Sequence, residues 1–355
     1  MDNWLIPDEQ EIPGAETNYF SYYLTALIKY FNVATPYSFE IIWGTHPRNI
    51  ISNTDMIIHD VSYAPYLHHP IEHSSNKPIL YIGGEYDNLP SEWVYFPFWF
   101  AVVPLGKFKH QFDSPIDSHI RKFKFSCLNK SPKAERIWFY CQLHKSELFS
   151  DTMTSFYANE ITGKKYINGN ILDLERRYFS EQDNIDQATI DYFIESILPT
   201  LPHCIDDERD IMENDPQFFS HGINHPAFSD AYINIISEHL YQKSYLSEKT
   251  VKPIAAKQLF LMAGPCGAIS QLEKMGFDTY SDIIDHKYYD NDPDWQSRLT
   301  KMLEVAEDIG KQDIMAMHIS TESRRIHNRE YLFSKEFQSS LYNPMKKWVD
   351  NTIRL

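Results

Sequence analysis

The feature that most limits how this chain can fold is a series of short, nearly unbroken apolar runs, each fenced by turn-forming residues. Phe39-Glu40-Ile41-Ile42-Trp43, Met56-Ile57-Ile58-His59 and Pro78-Ile79-Leu80-Tyr81-Ile82-Gly83-Gly84 come first. Residues 123–128, Tyr232-Ile233-Asn234-Ile235-Ile236 and Leu259-Phe260-Leu261-Met262 follow. All are short and rich in β-branched or aromatic residues, the pattern of strands covered on both faces. Between them lie stretches with helical periodicity. Phe20, Tyr23, Leu24, Leu27, Ile28 and Phe31 follow Asn18, a candidate N-cap, and residues 134–144 and 185–198 carry similar signals. A short helix over 268–275 closes at Gly276, a suitable C′ residue, and residues 294–310 and 314–349 read as helical throughout. Helices interleaved with buried strands predict an α/β protein with mainly parallel sheets.

The 355 residues suffice for two domains of about 150–200 each. The stretch 107–121 is polar and holds no clear element, so the domain junction is expected there. This gives an N-terminal α/β domain over 1–115, a second α/β domain over 116–325, and C-terminal helices over 326–355 that pack back on the first domain. Hydrophobic residues at 43% and aromatics at 15% supply enough apolar surface for two cores.

The net charge of −16 argues against a protein that wraps a nucleic-acid backbone. Cations nevertheless cluster: Lys107, Lys109, Arg121, Lys122, Lys124, Lys130, Lys133 and Arg136 in one place, Arg324, Arg325, His327 and Arg329 in another. Such clusters suit a small phosphorylated ligand, and the alternative is a set of solvated surface residues. Cys127, Cys141, Cys204 and Cys266 show no CxxC spacing, so neither a zinc site nor a redox dithiol is expected. The absence of a signal-peptide core in residues 1–16, and of any apolar run near 20 residues, leads to the expectation of a cytoplasmic protein without a membrane span.

Three stretches have the residue types for chemistry. Ser126-Cys127-Leu128-Asn129-Lys130-Ser131 ends a strand and leads into a helix carrying Arg136. Amide groups at such a helix start, with a planar guanidinium nearby, can hold a diphosphate. In Tyr245-Leu246-Ser247-Glu248-Lys249, Ser247 is a candidate N-cap that sets Glu248 and Lys249 in the first turn, while Pro253 kinks the helix or delays its start. The adjacent carboxylate and ammonium can take a ribose diol and a phosphate, or form an ordinary solvated pair. In Ile82-Gly83-Gly84-Glu85-Tyr86 a strand ends in two glycines, and Glu85 follows as a candidate general base or a simple turn residue. Asp290-Asn291-Asp292 matches a metal-binding DxD, but Pro293 and Asp294 after it suggest a turn and helix cap. His68, His69 and His73 lack a carboxylate at a useful spacing.

In order and approximate spacing these segments resemble the α-1,3-fucosyltransferase family and its shorter bacterial and phage relatives. The Gly-Glu turn at Glu85, the Ser/Asn strand end followed by Arg136, and Tyr245 to Lys249 correspond to three motifs of that family. Leu259-Phe260-Leu261-Met262-Ala263-Gly264-Pro265 is similar to its following strand. The resemblance implies a GT-B fold, with two Rossmann-like domains facing a central cleft and a helical C-terminus. It further implies an inverting, metal-independent glycosyltransferase with no cofactor beyond its nucleotide-sugar co-substrate. Glu85 would be the base; Arg136 and Lys249 would bind the donor phosphates, Glu248 the ribose and Tyr245 the nucleotide, with Asn129 and Ser126 at the strand end. Ile236-Ser237-Glu238-His239 stands where the family has Phe-Glu-Asn-Ser, so the donor, GDP-fucose or another nucleotide sugar, stays open. The acceptor is a carbohydrate or other hydroxyl; modified bases of phage DNA, or no catalysis at all, are the alternatives.

Overall fold

The structure, a computed structural model, describes residues 39–43, 56–60, 79–82, 93–95, 97, 100, 120–129, 133–156, 185–201, 203, 205, 223, 225–238 and 246–353. The chain divides into two units. The first comprises Met1–His110, Tyr241–Val251 and Glu330–Leu355; the second comprises Gln111–Leu240 and Lys252–Arg329.

In the first unit β1 (Phe39–Trp43), β2 (Met56–Asp60), β3 (Ile79–Ile82) and β4 (Trp93–Tyr95) form a four-stranded sheet in that order, parallel throughout. The C-terminal stretch belongs to this unit. Gln338 donates through Nε2 to the Phe100 carbonyl at 3.2 Å, and the Phe100 and Phe337 rings meet edge to face at 6.2 Å.

The second unit carries β5 (Phe123–Asn129), α1 (Ala134–Lys145), β6 (Thr152–Phe156), α2 (Gln187–Tyr192) and β7 (Ala231–Ser237). The helix α3 (Glu248–Ala255) crosses the unit boundary and leads into β8 (Leu259–Ala263), α4 (Ala268–Lys274), α5 (Trp295–Gly310), α6 (Ile314–Ser320) and α7 (Glu322–Leu332). The last helix, α8 (Lys335–Ile353), lies in the first unit. The second sheet is also wholly parallel, in the order β6-β5-β7-β8. Every residue of β6, β7 and β8 is buried, which explains why these strands need no polar alternation.

Helix ends are set by side chains that meet free backbone groups. Asp186, Asp294 and Asp313 accept from the amides of Thr189, Ser297 and Ala316 and so cap α2, α5 and α6. Gly276 closes α4 as the sequence predicts: at φ 92° it lets its own N–H reach Glu273 O and that of Phe277 reach Leu272 O. The same pair of bonds closes α3, from Lys257 to Ile254 O and from Gln258 to Pro253 O, but there the left-handed position is held by Lys257 at φ 56°. Pro253 does lie inside α3, so the Lys249 carbonyl lacks its usual amide partner while the helix runs on.

On one side of the sheet Ile137, Tyr140 and Cys141 of α1 pack with Phe156, Phe193 and Ile197. Trp138 meets Trp295 of α5 edge to face at 5.5 Å. Gly310 ends α5 so close to the sheet that a Cβ there would stand 3.0 Å from Leu148 Cδ2 and 3.7 Å from Phe125 Cε2. Among the described residues, no helix is long and apolar enough to cross a membrane. The helix expected over 18–31 lies outside the described residues.

Candidate functional site

Strand order locates the site. β6 continues from β5 by way of α1 and pairs on one side of it, whereas β7 pairs on the other side and is followed by β8 still further out. The strand order therefore reverses between β5 and β7, and α/β sheets take their ligands beyond the C-terminal ends of the strands at such a point. Asn129 ends β5, Ser237 ends β7 and Glu238 follows it, 1% exposed, with its N–H on Ala263 O at 2.9 Å.

Arg136, in the first turn of α1, reaches over this edge. It is 4% exposed, and among the described residues its one side-chain hydrogen bond is a long one, from Nη2 to Ser237 O at 3.5 Å. Among the described residues its Nε has no partner and no carboxylate pairs with it. Lys133, at the N-cap of α1, makes no side-chain capping bond, unlike the aspartates that start α2, α5 and α6. Asn129 is 2% exposed; its Nδ2 donates to Cys127 Sγ at 3.4 Å and its Oδ1 has no partner. Burial pushes the Cys127 thiol up to about 12, against the pull of the Asn129 bond and the Arg136 charge, so the sulfur is an inert, neutral anchor. A desolvated guanidinium with free hydrogen-bonding capacity, at a helix start with no side-chain cap, can bind an anionic oxygen.

The other described cations of the basic clusters have protein partners. Arg121 donates through Nη1 to Phe228 O and Ala231 O at 3.1 and 2.6 Å, and Lys122 and Lys124 pair with Asp230 and Asp151 at 3.1 and 2.7 Å. Arg324 forks between Asp278 and Asp282, at 2.5 and 2.6 Å. Arg325, 1% exposed, donates to Lys257 O at 2.5 Å, His318 O at 2.7 Å and Thr321 Oγ1 at 3.3 Å; Arg329 donates to Ala255 O. The second cluster thus ties α7 to the carbonyls ending α3 and to the loop after α4. Lys107, Lys109 and Lys130 lie outside the described residues.

Ser126 is fully buried, and its Oγ accepts from Asn234 Nδ2 at 3.0 Å. Asn234 also reaches Gln258 Oε1 at 3.5 Å, and Gln258 Nε2 donates to Ala227 O and Ala231 O, both at 2.8 Å. This places Ser126 in an interior network, on the face of β5 opposite Asn129.

Ser247, in the first unit, is the N-cap of α3: its Oγ accepts from Lys249 N at 3.2 Å. Lys249 Nζ lies 3.1 Å from Glu248 Oε1 and 3.2 Å from Ser247 Oγ, and the Lys249 and Glu248 side chains are 31% and 16% exposed. The pair is half-covered and mutually neutralising. Glu85, Tyr245, His68, His69 and His73 lie outside the described residues.

Comparison of the chain with protein-family models, curated proteins and solved structures finds no match in any of the three. Both acids of the DxD run have structural work. Asp290 accepts from Ile269 N, Ser270 N and Ser270 Oγ at 2.9, 3.1 and 2.9 Å, capping α4. Hydrogen bonds from Lys301 and Ser297 hold Asp292 down at about 2. Among the described residues no group of three or more His, Cys, Asp or Glu side chains could hold a metal. Cys127 has no place in the sequence-based reading, although its spacing of two from Asn129 on a strand already puts both on one face.

Proposed function

We propose that the protein is an inverting glycosyltransferase of the GT-B type, moving a sugar from a nucleotide-diphosphate donor to a hydroxyl acceptor. The observation that carries the reading is Arg136, a buried cation with no counter-charge among the described residues, at the C-terminal ends of β5 and β7. It stands in the segment that resembles the donor-phosphate motif of α-1,3-fucosyltransferases. In this reading Glu85 removes the proton of the acceptor hydroxyl as its oxygen attacks the anomeric carbon. The bond from that carbon to the diphosphate oxygen breaks on the opposite face, and the electron pair leaves with the nucleoside diphosphate. Arg136 and Lys249 bind the charge that develops on the leaving group, a form of electrostatic catalysis that needs no proton transfer to it. Glu248 takes the ribose hydroxyls and Tyr245 packs on the nucleotide. The donor is GDP-fucose or another nucleotide sugar.

Titration calorimetry with a panel of GDP-, UDP- and CMP-sugars tests the reading. At least one diphosphate donor is expected to bind, and Arg136→Ala to weaken it by about 1.5–3 kcal/mol, the range for a hydrogen bond to a charged group. Absence of binding to every donor, or wild-type affinity in Arg136→Ala, overturns it.

A further inference from the structure

We propose that residues 278–290 form an acid-released strap across β8, latched by one directed chain of hydrogen bonds from Met262 N through Tyr289 and His286 to Thr279 O. The proposal stands apart from the glycosyltransferase reading and concerns a different element of the second unit.

Among the described residues β8 is the last strand of its sheet. Its Met262 N–H donates not to a strand but to the Tyr289 hydroxyl, at 3.2 Å. That hydroxyl lies 2.6 Å from His286 Nδ1, and His286 Nε2 lies 2.8 Å from the Thr279 carbonyl. These groups allow one arrangement of protons. A carbonyl only accepts, so Nε2 carries the hydrogen; Nδ1 of the neutral ring must then accept, and the tyrosine gives it its only proton. A ring turned over would set carbon atoms against both partners, so no other orientation competes. A proton arriving on Nδ1 reverses the middle link. Tyr289 is 1% exposed, and its hydroxyl hydrogen then has no acceptor among the described residues, while a charge is buried beside it. The groups around His286 do not offset this. Glu273 of α4 is engaged by the Thr279 and Ser281 hydroxyls at 2.7 and 2.8 Å, and β8 presents the Phe260 ring. On α5, Glu304 and Lys301 are taken up by Tyr288, and the chain neighbours Asp285 and Lys287 carry opposite charges. Burial holds His286 down to about 4, against the pull of the Thr279 carbonyl and of the Glu273 and Asp285 charges.

The strap is also strained. Tyr280, 1% exposed, sits at φ 62°, a left-handed conformation that a bulky residue holds only under compulsion. Asn328 of α7 supplies it, binding both backbone polar groups of Asp278 at 2.9 and 2.7 Å and the Tyr280 hydroxyl at 3.0 Å. At the far end Asp290 holds the turn after β8, its carbonyl accepting from Gly267 N at 2.8 Å. Opening the latch therefore loosens a strained segment and reaches the C-terminal end of β8.

Native-state hydrogen exchange tests the strap, with each amide's rate referred to that of an unstructured chain at the same pH. Met262 reports the latch, Gly267 the far end, and Glu238, bonded to Ala263 O, the rest of the sheet. From pH 7 to pH 4 the protection of Met262 relative to Glu238 is expected to fall about tenfold, with Gly267 following Met262. In His286→Gln the ratio is expected to stay constant over that range; in Tyr289→Phe it is expected to be low already at pH 7. A constant ratio in the wild type, including loss of both amides together as the whole protein unfolds, overturns the proposal. So does a ratio that still falls in His286→Gln, since another group is then titrating, or wild-type protection of Met262 in Tyr289→Phe. Gly267 tracking Glu238 reduces the strap to one broken bond and overturns it as well. Ratios within one variant cancel an overall change of stability.

Discussion

Two places in the second unit bury arginines to the same depth and use them differently. In the helical layer Arg298 and Arg325 are 2% and 1% exposed; Arg298 donates to Gly264 O and Asp292 O, and Arg325 to two carbonyls and a hydroxyl. At the strand ends Arg136 is 4% exposed and has one contact of 3.5 Å. Burial alone does not separate them; the inventory of acceptors does. Arg325 is a connector whose loss strands buried carbonyls. Arg136 is a desolvated cation whose loss strands almost nothing, and such a group lowers stability unless a ligand meets it.

The sharpest way to break this contrast is to truncate both. Arg325→Met is expected to cost about 3 kcal/mol or more, because it leaves the carbonyls of Lys257 and His318 unmet. Arg136→Met is expected to leave stability within about 1 kcal/mol or to raise it, while weakening anion binding by about 1.5–3 kcal/mol. Urea denaturation of the ligand-free variants decides; equal losses would erase the distinction.

His286 gives the next effect, again in the saturated region. Its Nε2 meets Thr279 O at 2.8 Å and its Nδ1 the Tyr289 hydroxyl at 2.6 Å, and that hydroxyl already accepts from Met262 N at 3.2 Å. Burial drives His286 down to about 4, although the bond to the Thr279 carbonyl and the charges of Glu273 and Asp285 pull upward. The unfolded chain binds this proton first, near the ordinary value of about 6.5. The stabilising contribution is thus complete above about 6.5 and is lost as pH falls toward 4, by up to about 3 kcal/mol. Unfolding midpoints at pH 7 and pH 4.5 are expected to lie closer together in His286→Gln than in the wild type; an unchanged gap rules His286 out as its source.

The smallest effect concerns the end of α3 that Arg325 and Arg329 cap. Lys257 sits there at φ 56°, and Lys257→Gly is expected to add about 1 kcal/mol by relieving left-handed strain. A thermal melt that moves down would show that the lysine side chain matters more than its backbone.

Much of the fold is legible in the sequence because its strands are short and apolar. β5, β7 and β8 lie within one or two residues of the runs read as strands. β6 escapes, since Thr152-Met153-Thr154-Ser155-Phe156 buries polar residues whose hydroxyls find partners; Thr152 Oγ1 donates to Leu148 O at 2.7 Å. The single helical stretch expected over 314–349 divides into α6, α7 and α8. No glycine or proline marks the breaks; the start of α8 is set by Ser334, whose Oγ accepts from Phe337 N at 3.0 Å. At the site, Arg136 was visible as a cation after a strand end, but so were Arg324, Arg325 and Arg329. Nothing in a sequence shows which arginine finds carboxylates or carbonyls 42 to 74 residues away, and that is what sets Arg136 apart.

The division of the chain into units also fixes an order of events during synthesis. The second unit is complete once Arg329 has been made, whereas the first needs Tyr241–Val251 and Glu330–Leu355 in addition to its N-terminal strands. On the ribosome the N-terminal sheet therefore emerges long before α8, the helix that completes its unit. The first unit is drawn from three separate stretches, whereas the second lies within residues 111–329, and a truncation that removes α8 harms the beginning of the chain before it harms the middle.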